Sequence, residues 1–157
     1  MATGSPRATG DGIRRADIRH DAPDAHRALA ALTRASTLDH ALAALVKARA
    51  SQINRCAYCV DLHVGLALRA GERPRRLHML SVWREATCFT ARERAALALT
   101  EALTLMSCGP VPEEVSADAA RHFEGSELSQ LVVVITAINA WNRVMVAAGQ
   151  EPPPTDE

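Results

Sequence analysis

Apolar positions recur at three- and four-residue intervals along most of the chain, and helix punctuation separates the runs. Ala22-Pro23-Asp24 opens a predicted helix to about Ala35, with Ala25, Leu29 and Leu32 on one face. Thr37 or Asp39 opens a second, to about Ile53, with Leu38, Leu42, Leu45, Val46 and Ile53 apolar. Asn54-Arg55 is a short break, and a third helix starts near Cys56 and runs to Ala70, where Gly71 stops it. Pro74 suits the first turn of a fourth, reaching about Thr87. Thr90-Ala91-Arg92-Glu93 has the capping-box form and starts a fifth, to about Met106, closed by Gly109-Pro110. Pro112 begins a sixth that ends by Phe123, and Gly125-Ser126 precedes a long last helix through Ala148, closed by Gly149.

One stretch reads two ways. Val132, Val133, Val134 and Ile135 have strand propensity. The apolar pattern nevertheless continues through Ala140, Trp141, Val144 and Met145 without a turn signal, which favours a helix buried on most sides. Thr136, Asn139, Asn142 and Arg143 form a polar stripe on it. The expected architecture is an all-α, compact helical domain of about six to seven helices over residues 22–149. Residues 1–21 read as a flexible leader and residues 150–157, with three consecutive prolines, as a disordered tail.

Composition narrows the function. The 157 residues favour one domain, and 48% hydrophobic content is enough for a core. Eighteen Lys plus Arg balance eighteen Asp plus Glu, and aromatics are 3%, so neither an electrostatic grip on nucleic acid nor base stacking is expected. The start shows no secretory signal. The longest apolar run, Leu131 to Ile138, is shorter than the ~20 residues a membrane span needs. The default location is cytoplasmic, where a close cysteine pair points to catalysis or metal binding more than to a structural bridge.

That pair lies in Ser51-Gln52-Ile53-Asn54-Arg55-Cys56-Ala57-Tyr58-Cys59-Val60-Asp61-Leu62-His63. On a helix, Cys59 sits about −60 degrees and His63 about −20 degrees from Cys56, so all three share a face. His63 lies one turn beyond Cys59, within hydrogen-bonding range. A cysteine at a helix N-terminus is favoured as a thiolate, and two cysteines three apart can close a disulfide. Together they allow a cycle of thiolate attack, resolution by the partner thiol and reset by an external reductant. Two buried small hydrophobes are the bland alternative. A three-ligand zinc site on Cys56, Cys59 and His63 is the other, although no second C-x-x-C or H-x-x-x-H exists.

At this segment the chain resembles the carboxymuconolactone decarboxylase superfamily and, within it, the alkylhydroperoxidase D branch. Similar segments are Ala70-Gly71-Glu72, Trp83-Arg84-Glu85, residues 90–98 and Ile138-Asn139-Ala140-Trp141-Asn142-Arg143, so the likeness spans roughly residues 23–149. The resemblance implies an all-α fold, homo-oligomers (commonly trimers or hexamers) and no bound organic cofactor; no metal is assigned. It implies reduction of hydroperoxides by a dithiol, with Cys59 peroxide-reactive, Cys56 resolving and a lipoyl or thioredoxin-like dithiol as reductant. The decarboxylase branch works without a cysteine pair.

Two positions depart from the branch pattern. The usual relay Glu, twelve residues before the first cysteine, is Ala44, which cannot carry a proton, and Tyr58 stands where the prototype has a His between the cysteines. Glu85, Asp61 and His40 are the available substitutes, with Glu85 and Tyr58 the possible supporting residues. General acid–base help is typically worth ~10²–10⁴-fold, so its loss points to a slow peroxidase, to an enzyme repurposed for a small metabolite, or to a non-enzymatic redox switch. Elsewhere, Trp83 and Trp141 read as core or interface anchors. His20 and His26 read as exposed, Arg73, Arg75 and Arg76 as a solvated basic face, and Cys88 and Cys108 carry no assigned chemistry.

Overall fold

The computed structural model describes residues 15–154. Eight α-helices follow one another, and no strand occurs among the described residues: α1 Ile18–Asp21, α2 Pro23–Arg34, α3 His40–Ile53, α4 Ala57–Arg69, α5 Pro74–Met79, α6 Ala91–Thr104, α7 Glu113–His122 and α8 Glu127–Ala148. The valine-rich stretch is helical, inside α8. This is the all-α architecture expected, with one more helix than the pattern suggested. The extra element, α1, falls in the expected leader. Asp17 caps it by accepting from the His20 amide, and α1 packs on α2. Residues 1–14 and the end of the tail, 155–157, lie outside the described residues.

The local signals explain most of the boundaries. Asp39 caps α3 by accepting from the Leu42 amide, and Thr90 and Glu93 close a reciprocal capping box at α6. Gly149 ends α8 in the left-handed region at φ 61°, and the Gln150 amide then reaches back to Met145 O at 2.9 Å.

One expected helix is cut short. α5 ends at Met79, passes into a 3-10 turn over Leu80–Val82, and does not reach Thr87. The cause sits on α6. The Arg94 guanidinium donates to the carbonyls of Trp83 and Ala86 at 2.9 Å and of Arg84 at 2.8 Å. A helix continuing to Thr87 would use the Trp83 carbonyl for its own ladder.

α3 is the central element, packed against α4, α6 and α8. Its Leu42, Ala43 and Val46 join α6, α7 and α8 in one apolar cluster. Its Ala44, Leu45 and Ala48 join Ala67, Leu77, Leu80, Trp83, Phe89 and Leu97 in a second. α8 has 22 residues and a mean hydropathy of 1.7, which meets the length and composition of a membrane span, contrary to the run-length estimate. Its contacts with α2, α3, α4 and α6, and its buried Asn139 and Asn142, make it a core helix of the bundle.

Of the basic cluster after Gly71, Arg73 and Arg75 are exposed as expected, and Arg76 is part of the packing. Arg76 pairs with Glu72 at 3.0 Å and with Glu93, and lies 5.0 Å from the Phe89 ring centre, so it is a structural residue and not a solvated one.

Candidate active site

The loop between α3 and α4 sets the cysteines. Ser51, at the end of α3, is fully buried, and its hydroxyl donates to Lys47 O at 2.7 Å. Arg55 takes the left-handed conformation at φ 55°. Cys56 is then the residue that caps α4, in extended conformation, and its amide donates to Ser51 O at 3.1 Å. Cys56 is therefore at the N-terminus of the helix, as the sequence placed it. Its sulfur still lies 2.7 Å from that of Cys59, within reach of disulfide closure, and both thiols are free and buried.

A polar network fixes this floor. Asn54 Nδ2 donates to Asn139 Oδ1 and to Asn142 Oδ1, each at 2.9 Å. Asn142 Nδ2 donates to Ser51 Oγ at 3.0 Å, and Asn139 Nδ2 to Thr104 Oγ1 at 3.0 Å and Ile135 O at 2.9 Å. Asn142 also hydrogen-bonds the Cys59 sulfur. Every buried amide in the cluster has a partner, as low-dielectric surroundings require.

Cys59 and His63 open onto one cavity of about 650 Å³, with Tyr58, Leu62, Lys47 and Trp141 also in its wall. Cys56 does not line it. Among the described residues no hydrogen bond joins His63 to Cys59, contrary to the helical-spacing expectation; the Cys59 sulfur meets Cys56 and Asn142 instead. Burial pushes the Cys59 thiol up to about 12; the Cys56 sulfur adds to the rise and the Asn142 amide opposes it. Burial pushes His63 down to about 4, with the Lys47 cation adding to the fall. At neutral pH the pair is a thiol beside a neutral imidazole.

The remaining candidates separate. Tyr58 is half-buried on the cavity wall. Glu85 is exposed and does not line the cavity, so the structure does not bring this possible supporting residue to the cysteines. Asp61 and His40 are exposed and also lie off this wall. Among the described residues no three His, Cys, Asp or Glu side chains cluster closely enough to hold a metal ion. Cys56, Cys59 and His63 are therefore not a three-ligand set.

With this geometry in place, the family model of the carboxymuconolactone decarboxylase family matches residues 21–102, which contain the dithiol, His63 and all of α3 and α4. The chain belongs to the carboxymuconolactone decarboxylase family. It is 36% identical over 117 residues to the uncharacterised protein YdfG of Bacillus subtilis (strain 168), covering 74% of this chain and 80% of that protein. It is 32% identical over 101 residues to the uncharacterised protein YnjA of Escherichia coli (strain K12), covering 64% of this chain and 54% of that protein. Among solved structures it superposes on an Agrobacterium tumefaciens protein of unknown function, described as a candidate antioxidant defence protein AhpD. The TM-score is 0.85 at 35% identity, covering 89% of this chain and 98% of that one. An uncharacterised peroxidase-related protein from Silicibacter sp. TM1040 shares the fold, with a TM-score of 0.71 at 24% identity over 83% of this chain and 69% of that one. The fold is therefore AhpD-like.

Within this family fold, several wall residues escaped the sequence reading. Trp141 is a wall of the cavity and not only an anchor: its Nε1 donates to Thr33 Oγ1 at 2.8 Å, and its ring meets His26 edge-on at 5.2 Å. His26 is correspondingly half-buried on the same wall, where exposure was expected. His20 is exposed, as expected. Lys47 had a legible signal: it lies one turn after Ala44, directly between the apolar Val46 and Ala48.

Proposed function

We propose that the chain is a thiol-dependent peroxidase that reduces hydroperoxides through the Cys56–Cys59 dithiol with help from His63. The observation that carries this reading is the division between the sulfurs: Cys59 opens onto the cavity beside His63, and Cys56 stands 2.7 Å behind it. In the first step the Cys59 proton passes to neutral His63, and the thiolate attacks the terminal peroxide oxygen. The O–O bond breaks, the leaving alkoxide takes the proton from His63, and Cys59 becomes a sulfenic acid. The Cys56 thiol then attacks that sulfur. The S–S bond forms, and hydroxide leaves with the Cys56 proton as water. The sum is one hydroperoxide and two thiols giving an alcohol, water and a disulfide. A lipoyl or thioredoxin-like dithiol resets the pair by exchange.

The same burial that keeps Cys59 and His63 uncharged makes the first proton transfer uphill, and slow turnover is the expected consequence. The protein works in the cytoplasm as a homo-oligomer, a trimer or hexamer. Consumption of cumene hydroperoxide with dihydrolipoamide as reductant tests the reading. Wild type is expected to turn over and Cys59→Ser to be inert. An unchanged rate in Cys59→Ser, or no consumption by a wild type whose pair still oxidises, contradicts it.

Ala44 favours a second reading. It is buried in an apolar cluster and carries no group that could relay a proton. On that reading the cavity serves a small metabolite on the same scaffold. A large gain in peroxidase rate from Ala44→Glu would show that the native site was shaped for another task.

A further inference from the structure

The wall of the cavity that holds Cys59 is divided by polarity. Ile138, Trp141, Val144 and Met145 of α8 make one apolar side, joined by Leu62 of α4. The charged groups are Arg15, Arg19, Arg34 and Lys47, against Asp17 as the one carboxylate on the wall among the described residues. Asp17 Oδ1 is already occupied, accepting from the His20 amide at 3.1 Å.

Lys47 is the innermost of these cations. It is half-buried on α3, between Val46 and Ala48, both fully buried. No carboxylate among the described residues pairs with it. The contrast with the next basic residue on the helix is direct. Arg49 is held by Glu101, with Nε at 2.8 Å and Nη2 at 2.6 Å. Taking an ammonium out of water without a counter-charge is unfavourable, and burial accordingly lowers the affinity of Lys47 for its proton. An anion supplied from the cavity would remove that cost. About 650 Å³ is ample for a molecule of ten to fifteen heavy atoms, since ligand pockets run ~300–1,000 Å³.

We propose that this cavity is a binding site for an organic anion, with a carboxylate head against Lys47 and an unbranched or aromatic apolar body along Ile138, Trp141, Val144 and Met145. The inference deepens the peroxidase reading and, for the reaction, rests on it: the preferred hydroperoxide is one that carries a carboxylate. Lys47 acts here by holding the head group and so positions the peroxide end beside Cys59. Binding of the anion itself requires no turnover.

Isothermal titration calorimetry of the full chain with decanoate, beside decanol as the neutral analogue, tests the site. Decanoate is expected to bind roughly tenfold to a hundredfold more tightly than decanol, the usual worth of one charge-assisted hydrogen bond. Lys47→Met is expected to erase that preference, and Lys47→Arg to keep it. Equal binding of the two ligands, no binding of decanoate, or a preference that survives Lys47→Met overturns the proposal. The comparison on wild type stands even if a variant fails to fold. The two readings fail separately. Turnover of cumene hydroperoxide without decanoate binding sinks the anion site and leaves the peroxidase, and decanoate binding without any hydroperoxide turnover does the reverse.

Discussion

The floor and the wall of this site treat polar groups in opposite ways. Beneath the sulfurs, Ser51, Asn54, Asn139 and Asn142 are closed in a network in which each buried amide has a partner. Around the cavity, Arg15, Arg19, Arg34 and Lys47 face space without ion-pair partners among the described residues. The floor has one geometry to hold, two sulfurs at bonding reach on the junction of α3 and α4. The wall has free charge to offer. A satisfied network gives position and an unsatisfied one gives affinity for what arrives. The distinction follows from the sequence's layout. Floor residues come from the α3–α4 junction and the buried face of α8, and wall cations come from the chain around α1, from α2 and from a half-buried position on α3.

The largest expected effect breaks the floor. Asn142→Leu keeps the volume roughly but strands Ser51 Oγ as an acceptor, and Asn54 Nδ2 loses one of its two partners. Stability in urea is expected to fall by about 3 kcal/mol, the upper range for leaving buried polar groups unpaired. A change below about 0.5 kcal/mol, within the range of neutral surface substitutions, would mean that the network is ornamental.

The next effect reads the wall through pH. His63 is held below its ordinary pKa of 6.5, at about 4. Between those values the unfolded chain binds the proton that the folded one refuses. Stability is therefore fully present above pH 6.5 and declines as pH falls towards 4. Urea midpoints measured from pH 7 to 4.5 should fall in wild type and fall less in His63→Gln. Parallel curves would show that His63 is not desolvated.

The smallest effect concerns the hinge between floor and wall. Arg55 sits at φ 55°, a conformation that costs an L residue about 1–2 kcal/mol. Glycine removes that strain at some cost in chain entropy, so Arg55→Gly is expected to raise stability by roughly 0.5–1 kcal/mol, measured by urea unfolding. A loss of stability would place the Arg55 side chain in an interaction that its exposure does not suggest.

Much of this was legible beforehand. Asp39, Thr90–Glu93, Gly71 and Gly149 are local devices, and local devices set helix ends wherever they occur. The C-x-x-C-x-x-x-H spacing brought Cys59 and His63 to one cavity. What could not be read depended on distant partners. Arg94 takes the carbonyls that would have carried α5 to Thr87. Helical spacing suggested a Cys59–His63 hydrogen bond, but in the fold the sulfur meets Asn142, far away in sequence. Trp141 and His26 became cavity walls through the packing of α2 on α8. Glu85 shows the converse, a carboxylate close in the motif's company that the fold leaves in solvent.

The central claim is that Cys59, and not Cys56, meets the oxidant. Single-turnover trapping of sulfenic acid tests it most directly. The reduced Cys56→Ser and Cys59→Ser variants would be mixed with one equivalent of cumene hydroperoxide and a dimedone-type reagent, then mapped by mass spectrometry. The adduct is expected on Cys59 in Cys56→Ser, and no adduct is expected in Cys59→Ser. An adduct on Cys56 in Cys59→Ser, with Cys59 unmodified in the other variant, would contradict it.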